Sequence, residues 1–154
     1  MTMLSIAIAA ATRMLLVALF LPFSAADKIF NFGGARSQAG LVVPAALTTP
    51  LVLAGLFVEV VMSLGVLTGV ADRLAAAVLA LYCGLTALGW KQFWKPVDFF
   101  KPGESVARNL FWDFWKNLAL AGGFLLIAFG TGASDVRSFF DNPLSSTHPY
   151  SVTR

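Results

Sequence analysis

Charge is the scarcest property of this sequence. Asp, Glu, Lys and Arg together make up 12% of its 154 residues, about half of what a soluble domain carries. With 58% hydrophobic residues and a mean hydropathy of +0.77, too little polar surface remains to solvate a globule. Cysteine and histidine are nearly missing as well. Cys83 stands alone, which excludes an intrachain disulfide, a CxxC redox pair and a cysteine-built metal cluster. Inside an apolar block it reads as a small buried hydrophobe. His148 is the only histidine and lies in a polar tail, so no pair of imidazoles exists for haem, and no metal site is expected. The net charge is +3, but the Lys and Arg residues sit singly at the ends of apolar blocks. That is a membrane-interface distribution, and no nucleic-acid partner is expected.

What the chain has in quantity is apolar sequence, in four blocks joined by polar or aromatic segments. The pattern predicts an all-α integral membrane protein, a four-helix bundle with antiparallel neighbouring helices and an irregular C-terminal tail. The spans fall at about residues 3–26, 47–70, 73–90 and 110–130, in one transmembrane domain over 1–130 followed by a polar tail, 131–154. The first block, MLSIAIAAATRMLLVALFLPFSAA, reads as a span rather than a cleaved signal, because no Lys or Arg precedes it and Arg13 interrupts it. Gly65 and Gly69 give the second span a small-xxx-small spacing suited to close helix approach. The joint VADR is short enough to force a tight helical hairpin, with Asp72 as the N-cap of the third span. The joint KQFWKPVDFFKPGESVARN alternates cations with aromatic rings and reads as a loop or half-helix in the headgroup region. In the tail, Phe139 and Phe140 are the anchors, on a partner or on the loops.

Ionisable residues inside the spans are the chemical signal. Placing a charge at the bilayer centre costs roughly 2.5–3.5 kcal/mol on insertion scales, so such a group faces protein and has a partner. Glu59 lies at the midpoint of the second span and Arg13 near the middle of the first. If the two helices are antiparallel, Arg13 and Glu59 meet as a hydrogen-bonded pair. Lys116 and Asp113, on the fourth span, extend this into a buried charge network of Arg13, Glu59, Lys116 and Asp113 if Lys116 turns inward; otherwise its stem carries the ammonium back to the surface. Such a network either only orients the bundle or marks a ligand or proton path. Arg13, Lys28, Tyr82, Trp90 and Trp94 are the candidate contacts for a quinone or a lipid headgroup, although the Tyr82 hydroxyl has an ordinary alternative partner in backbone carbonyls.

These residues together resemble the DoxX family of small bacterial four-helix membrane proteins. The features that match are Arg13, the exit LPFSAADKIFNF with Asp27 and Lys28, Glu59 in GLFVEV, the start DRLAA of the third span, the exit KQFW, and KNLALAGGFLL with Lys116 and Asn117. The likeness covers about residues 10 to 130. It implies an inner-membrane bundle, in some members the small DoxD-type subunit of a thiosulfate:quinone oxidoreductase, in others a partner of redox proteins. Vitamin K epoxide reductase is a similar bundle, but its chemistry needs a cysteine pair. The expectation is therefore an accessory subunit of a bacterial respiratory or redox complex in the inner membrane, with no covalently bound cofactor and no independent catalysis, binding quinone or phospholipid. Its partners are the lipid bilayer and other membrane or redox subunits. A stand-alone quinone-dependent oxidoreductase and a small transporter or lipid-binding protein are the alternatives.

Overall fold

The structure, a computed structural model, describes residues 2–151; positions 152–154 of the expected tail lie outside the described residues. The fold is all-α, with four helices long and apolar enough to cross a membrane, as the hydropathy pattern predicts. They are α1 (Met3–Phe30), α3 (Ala45–Thr68), α4 (Asp72–Trp90) and α5 (Val106–Phe129). Among the described residues two shorter helices complete the fold: α2 (Phe32–Ala39) after the first span and α6 (Ala133–Asp141) in the tail. The chain is a multi-pass membrane protein.

Contacts between α3 and α4 and between α4 and α5 define an antiparallel run, with α4 and α5 in the most extensive pairing. The core sits around α4, where Ala76, Leu79 and Cys83 are fully buried in one cluster with Val66, Phe124 and Ala128. Gly65 performs the role its spacing suggests. A Cβ there would lie 2.9 Å from that of Ala75, so glycine alone lets α3 and α4 approach this closely. Gly69 does something else. It closes α3 in the left-handed conformation (φ 79°), followed by Ala71 at φ 46°, and this turn starts α4.

Two spans contain a π-turn. In α1 it covers Leu19–Ser24 around Pro22, whose missing N–H already removes one α-helical bond. In α3 it covers Val58–Met62, around Glu59. A π-turn admits one extra residue and so rotates the remainder of its helix by about 100° relative to an unbroken one. The two π-turns pack against one another.

The axial register of α1 differs from expectation. Arg13 meets Val66 and Ser24 meets Glu59, so Met3–Thr12 runs past the end of α3 at Thr68. At 28 residues α1 is about 42 Å long at roughly 1.5 Å per residue, more than the ~30 Å hydrocarbon core. Arg13 therefore stands level with the α3–α4 turn, at one end of α4, and not at mid-depth.

The joint between α4 and α5 is irregular but pinned. Asp98 accepts hydrogen bonds from the N–H groups of Val106 (2.7 Å) and Ala107 (3.0 Å), and Arg108 donates to the carbonyls of Phe99, Lys101 and Gly103. Phe93 makes edge-on contacts with Trp94, Phe111 and Phe114. The tail is less irregular than its composition suggests. It contains α6, whose Phe139 packs edge-on to Phe129 and beneath the Arg73 guanidinium. Beyond α6 the chain folds back over the α3–α4 turn, where Ser146 donates to the Gly69 carbonyl and Tyr150 to that of Leu67.

Candidate functional site: two buried polar centres

The first centre is built around Glu59, which is 1% exposed. Its Oε1 accepts hydrogen bonds from Lys28 Nζ (2.7 Å), Tyr82 Oη (2.8 Å) and Ser24 Oγ (2.9 Å), and Lys28 also donates to Ser24 Oγ (2.8 Å). The two π-turns put Ser24 and Glu59 face to face, and α1 then carries Lys28 one turn further on. Gly55 leaves room for the meeting, since a Cβ there would lie 3.2 Å from the Tyr82 hydroxyl. Tyr82 is ten residues along α4 from Asp72, about 15 Å at roughly 1.5 Å per residue. The centre thus lies at mid-depth of the shortest span.

One oxygen of this carboxylate takes all three donors. The other, Oε2, is buried and has no hydrogen-bond partner, and neither has Ser63 Oγ, one turn further along α3. Leaving such atoms buried without a partner costs about 1–3 kcal/mol or more each. Chemically, a carboxylate clamped by an ammonium and two hydroxyls, with its second oxygen open, accepts a hydrogen bond from an incoming hydroxyl or carries a proton.

The second centre lies at the end of α4. The side chains of Arg13 and Asp72 are 7% and 0% exposed and form an ion pair at 2.8 Å. Arg13 also donates to the Val66 carbonyl and to Thr147 Oγ1, both at 2.6 Å. Thr147 returns the contact, donating to Asp72 through its N–H (2.9 Å) and its hydroxyl. Asp72 makes no side-chain cap on α4. It is the counter-ion of Arg13, and its position in the first helical turn suits a negative charge.

The expected pairing of Arg13 with Glu59 is therefore corrected. The levels of Val66 and Glu59 differ by seven residues along α3, about 10 Å at roughly 1.5 Å per residue, and each charge finds a different counter-ion. The extended network is corrected too. Lys116 is 72% exposed and its contact with Asp113 is a loose 3.5 Å, while Asp113 pairs with Lys91 at 3.0 Å on the surface. Of the five candidate ligand contacts, Lys28 and Tyr82 converge on Glu59. Arg13 is at the other centre, Trp90 donates to the Gln38 carbonyl, and Trp94 meets Phe93 and Phe114 edge-on in the aromatic joint.

Three residues of these centres, Ser24, Asp72 and Thr147, escape sequence reasoning. Asp72 is the one with a visible signal, an acidic residue wedged between two apolar spans with a joint too short to carry it into solvent. Ser24 and Thr147 have none, since a lone hydroxyl in a helix or a polar tail has many ordinary uses. No family model matches the chain, and comparison with curated proteins and with solved structures finds no match either.

Proposed function

We propose that the protein is an integral, non-catalytic subunit of a bacterial respiratory or redox complex in the inner membrane, of the kind its DoxX-like features suggest, and that its Glu59 centre takes the head of a quinone. The observation that carries this reading is the open Oε2 of Glu59 beside Lys28, Ser24 and Tyr82. A hydroquinone hydroxyl donates a hydrogen bond to that oxygen, beside the Lys28 ammonium on the other one. The quinone supplies the redox chemistry, and the electrons pass to or from a partner subunit. The subunit role is supported by α1, whose apolar residues Met3, Leu4 and Ile8 are 84%, 65% and 57% exposed beyond the level of the Arg13–Asp72 pair. On this reading a partner subunit covers them.

The test is purification of the full chain from bacterial membranes in mild detergent, with extraction of bound quinone and identification of co-purifying subunits. About one quinone per chain and a stoichiometric partner are expected. In Glu59→Gln the amide oxygen still serves Lys28, Ser24 and Tyr82, but a donor replaces the open acceptor, so recovered quinone falls at least tenfold. Thermal unfolding checks that the variant is folded, and Glu59→Gln combined with Lys28→Met removes both charges together if it is not. Undiminished quinone in a folded variant would refute the site, and a chain recovered without any partner would refute the subunit role.

A second reading, a small transporter that moves protons, is favoured by Ser63. Its unpartnered Oγ lies one turn from Glu59, a spacing suited to a bridging water. It predicts proton movement across quinone-free liposomes that is abolished in Glu59→Gln.

A further inference from the structure

A cavity of about 410 Å³ opens beside the second centre, its polar lining formed by Arg13, Arg73, Asp135, Ser138, Ser146 and Thr147, with Leu126 on its apolar wall. We infer that it is a binding site for a phosphate-type anion, either the headgroup of an anionic phospholipid or a free phosphate ion. Arg73 is the central cation of this cavity. Its guanidinium makes hydrogen bonds to the carbonyls of Ala128 (2.9 Å) and Asp135 (2.8 Å) and to the hydroxyls of Ser138 (3.2 Å) and Ser145 (3.1 Å). All four acceptors are neutral, and among the described residues no carboxylate forms an ion pair with it.

This cation sits in the first turn of α4, where the helix dipole disfavours positive charge. An anion in the cavity relieves both conditions at once. Neither nearby acid pairs with Arg73: Asp72 is the counter-ion of Arg13, and Asp135, although it lines the cavity, turns its carboxylate to the Gly132 N–H at 3.1 Å. A guanidinium N–H gives phosphate a charge-assisted hydrogen bond, and Arg73 keeps one N–H beyond those four bonds. Ser138, whose oxygen accepts from Arg73, has its own hydrogen to donate, while those of Ser146 and Thr147 go to Gly69 and Asp72. The position suits a lipid. The cavity is at the end of α4, where headgroups lie, and Leu126, 58% exposed, continues from it along the apolar flank of α5.

The experiment is thermal unfolding of the full chain in mild detergent while phosphatidylglycerol, phosphatidylcholine or inorganic phosphate is added. Phosphatidylglycerol should raise the unfolding temperature of the wild type, and phosphatidylcholine should not. Arg73→Gln should weaken the anion's apparent affinity about tenfold or more. Arg137→Gln, which removes an exposed charge from α6, should leave it unchanged. The rise on adding lipid is read for each variant against its own lipid-free value, so a lower starting stability in Arg73→Gln does not blur the result. If millimolar phosphate reproduces the rise and competes with the lipid, the natural occupant is the free ion; a rise with lipid alone identifies the headgroup. Equal rises with both lipids, or a full rise retained in Arg73→Gln, would overturn the inference.

Discussion

Arg13 and Asp72 form an ion pair almost fully removed from solvent, and that decides how each tolerates substitution. Removing one member of a buried pair leaves the other charge uncompensated, at about 3–5 kcal/mol, whereas removing both is often close to neutral. Asp72→Ala and Arg13→Met should each destabilise the protein by about that amount in detergent unfolding, and the double variant should recover a large part of the loss. The parallel cycle between Arg13 and Glu59 should be additive within about 0.5 kcal/mol, because the two belong to different centres. Coupling of more than that would restore the pairing which the sequence suggested. That suggestion rested on sound ground in one respect: the apolar flanks of Arg13 and Glu59 do mark both as buried. What flanking residues do not carry is the axial offset of α1 against α3, and the offset chooses the counter-ion.

Among the elements, α5 shows how a polar joint is held. Its first turn is closed by Asp98, whose carboxylate takes the N–H groups of Ala107 and Val106, and these bonds hold its pKa below the ordinary carboxylate value, the Ala107 N–H most of all. A group with a depressed folded-state pKa contributes stability above the ordinary value and loses it as pH falls through the depressed one. Asp98→Ala should therefore speed hydrogen exchange at Val106 and Ala107 at neutral pH, and in the wild type the same protection should be lost as pH falls below the ordinary carboxylate value. Unchanged exchange in Asp98→Ala would mean that Ser105, the N-cap whose hydroxyl accepts from the Arg108 N–H, suffices alone. The π-turns explain a different failure of pattern reading. A helical wheel assumes an unbroken period of 3.6, and one inserted residue at Leu19–Ser24 or Val58–Met62 rotates every later side chain. Pro22 hints at the first. No residue type in VEVVM marks the second.

For the whole molecule, the C-terminal segment joins spans that are far apart in sequence. Thr147 bridges Arg13 of α1 and Asp72 of α4, while Ser146 and Tyr150 hold the end of α3. Truncation after Pro143 should open the second centre to water and lower thermal stability by about 2–4 kcal/mol, as expected when several hydrogen bonds to buried charged groups are lost together. It should leave helix content in the spans nearly unchanged, since those helices are held by the bilayer and by one another. A truncated chain with wild-type stability would show that the segment merely rests on the bundle.

Hydropathy was enough to establish the class, the number of spans and their antiparallel order, because a chain this apolar has to satisfy its backbone internally and joints as short as VADR permit one connection. It was also enough to mark Arg13 and Glu59 as charges in need of partners. Which partner each takes, which oxygen stays open and where the tail lies were settled by how the helices slide and rotate against one another. Those are long-range packing choices, made at Gly55, Gly65 and the two π-turns, and no local pattern along the chain encodes them.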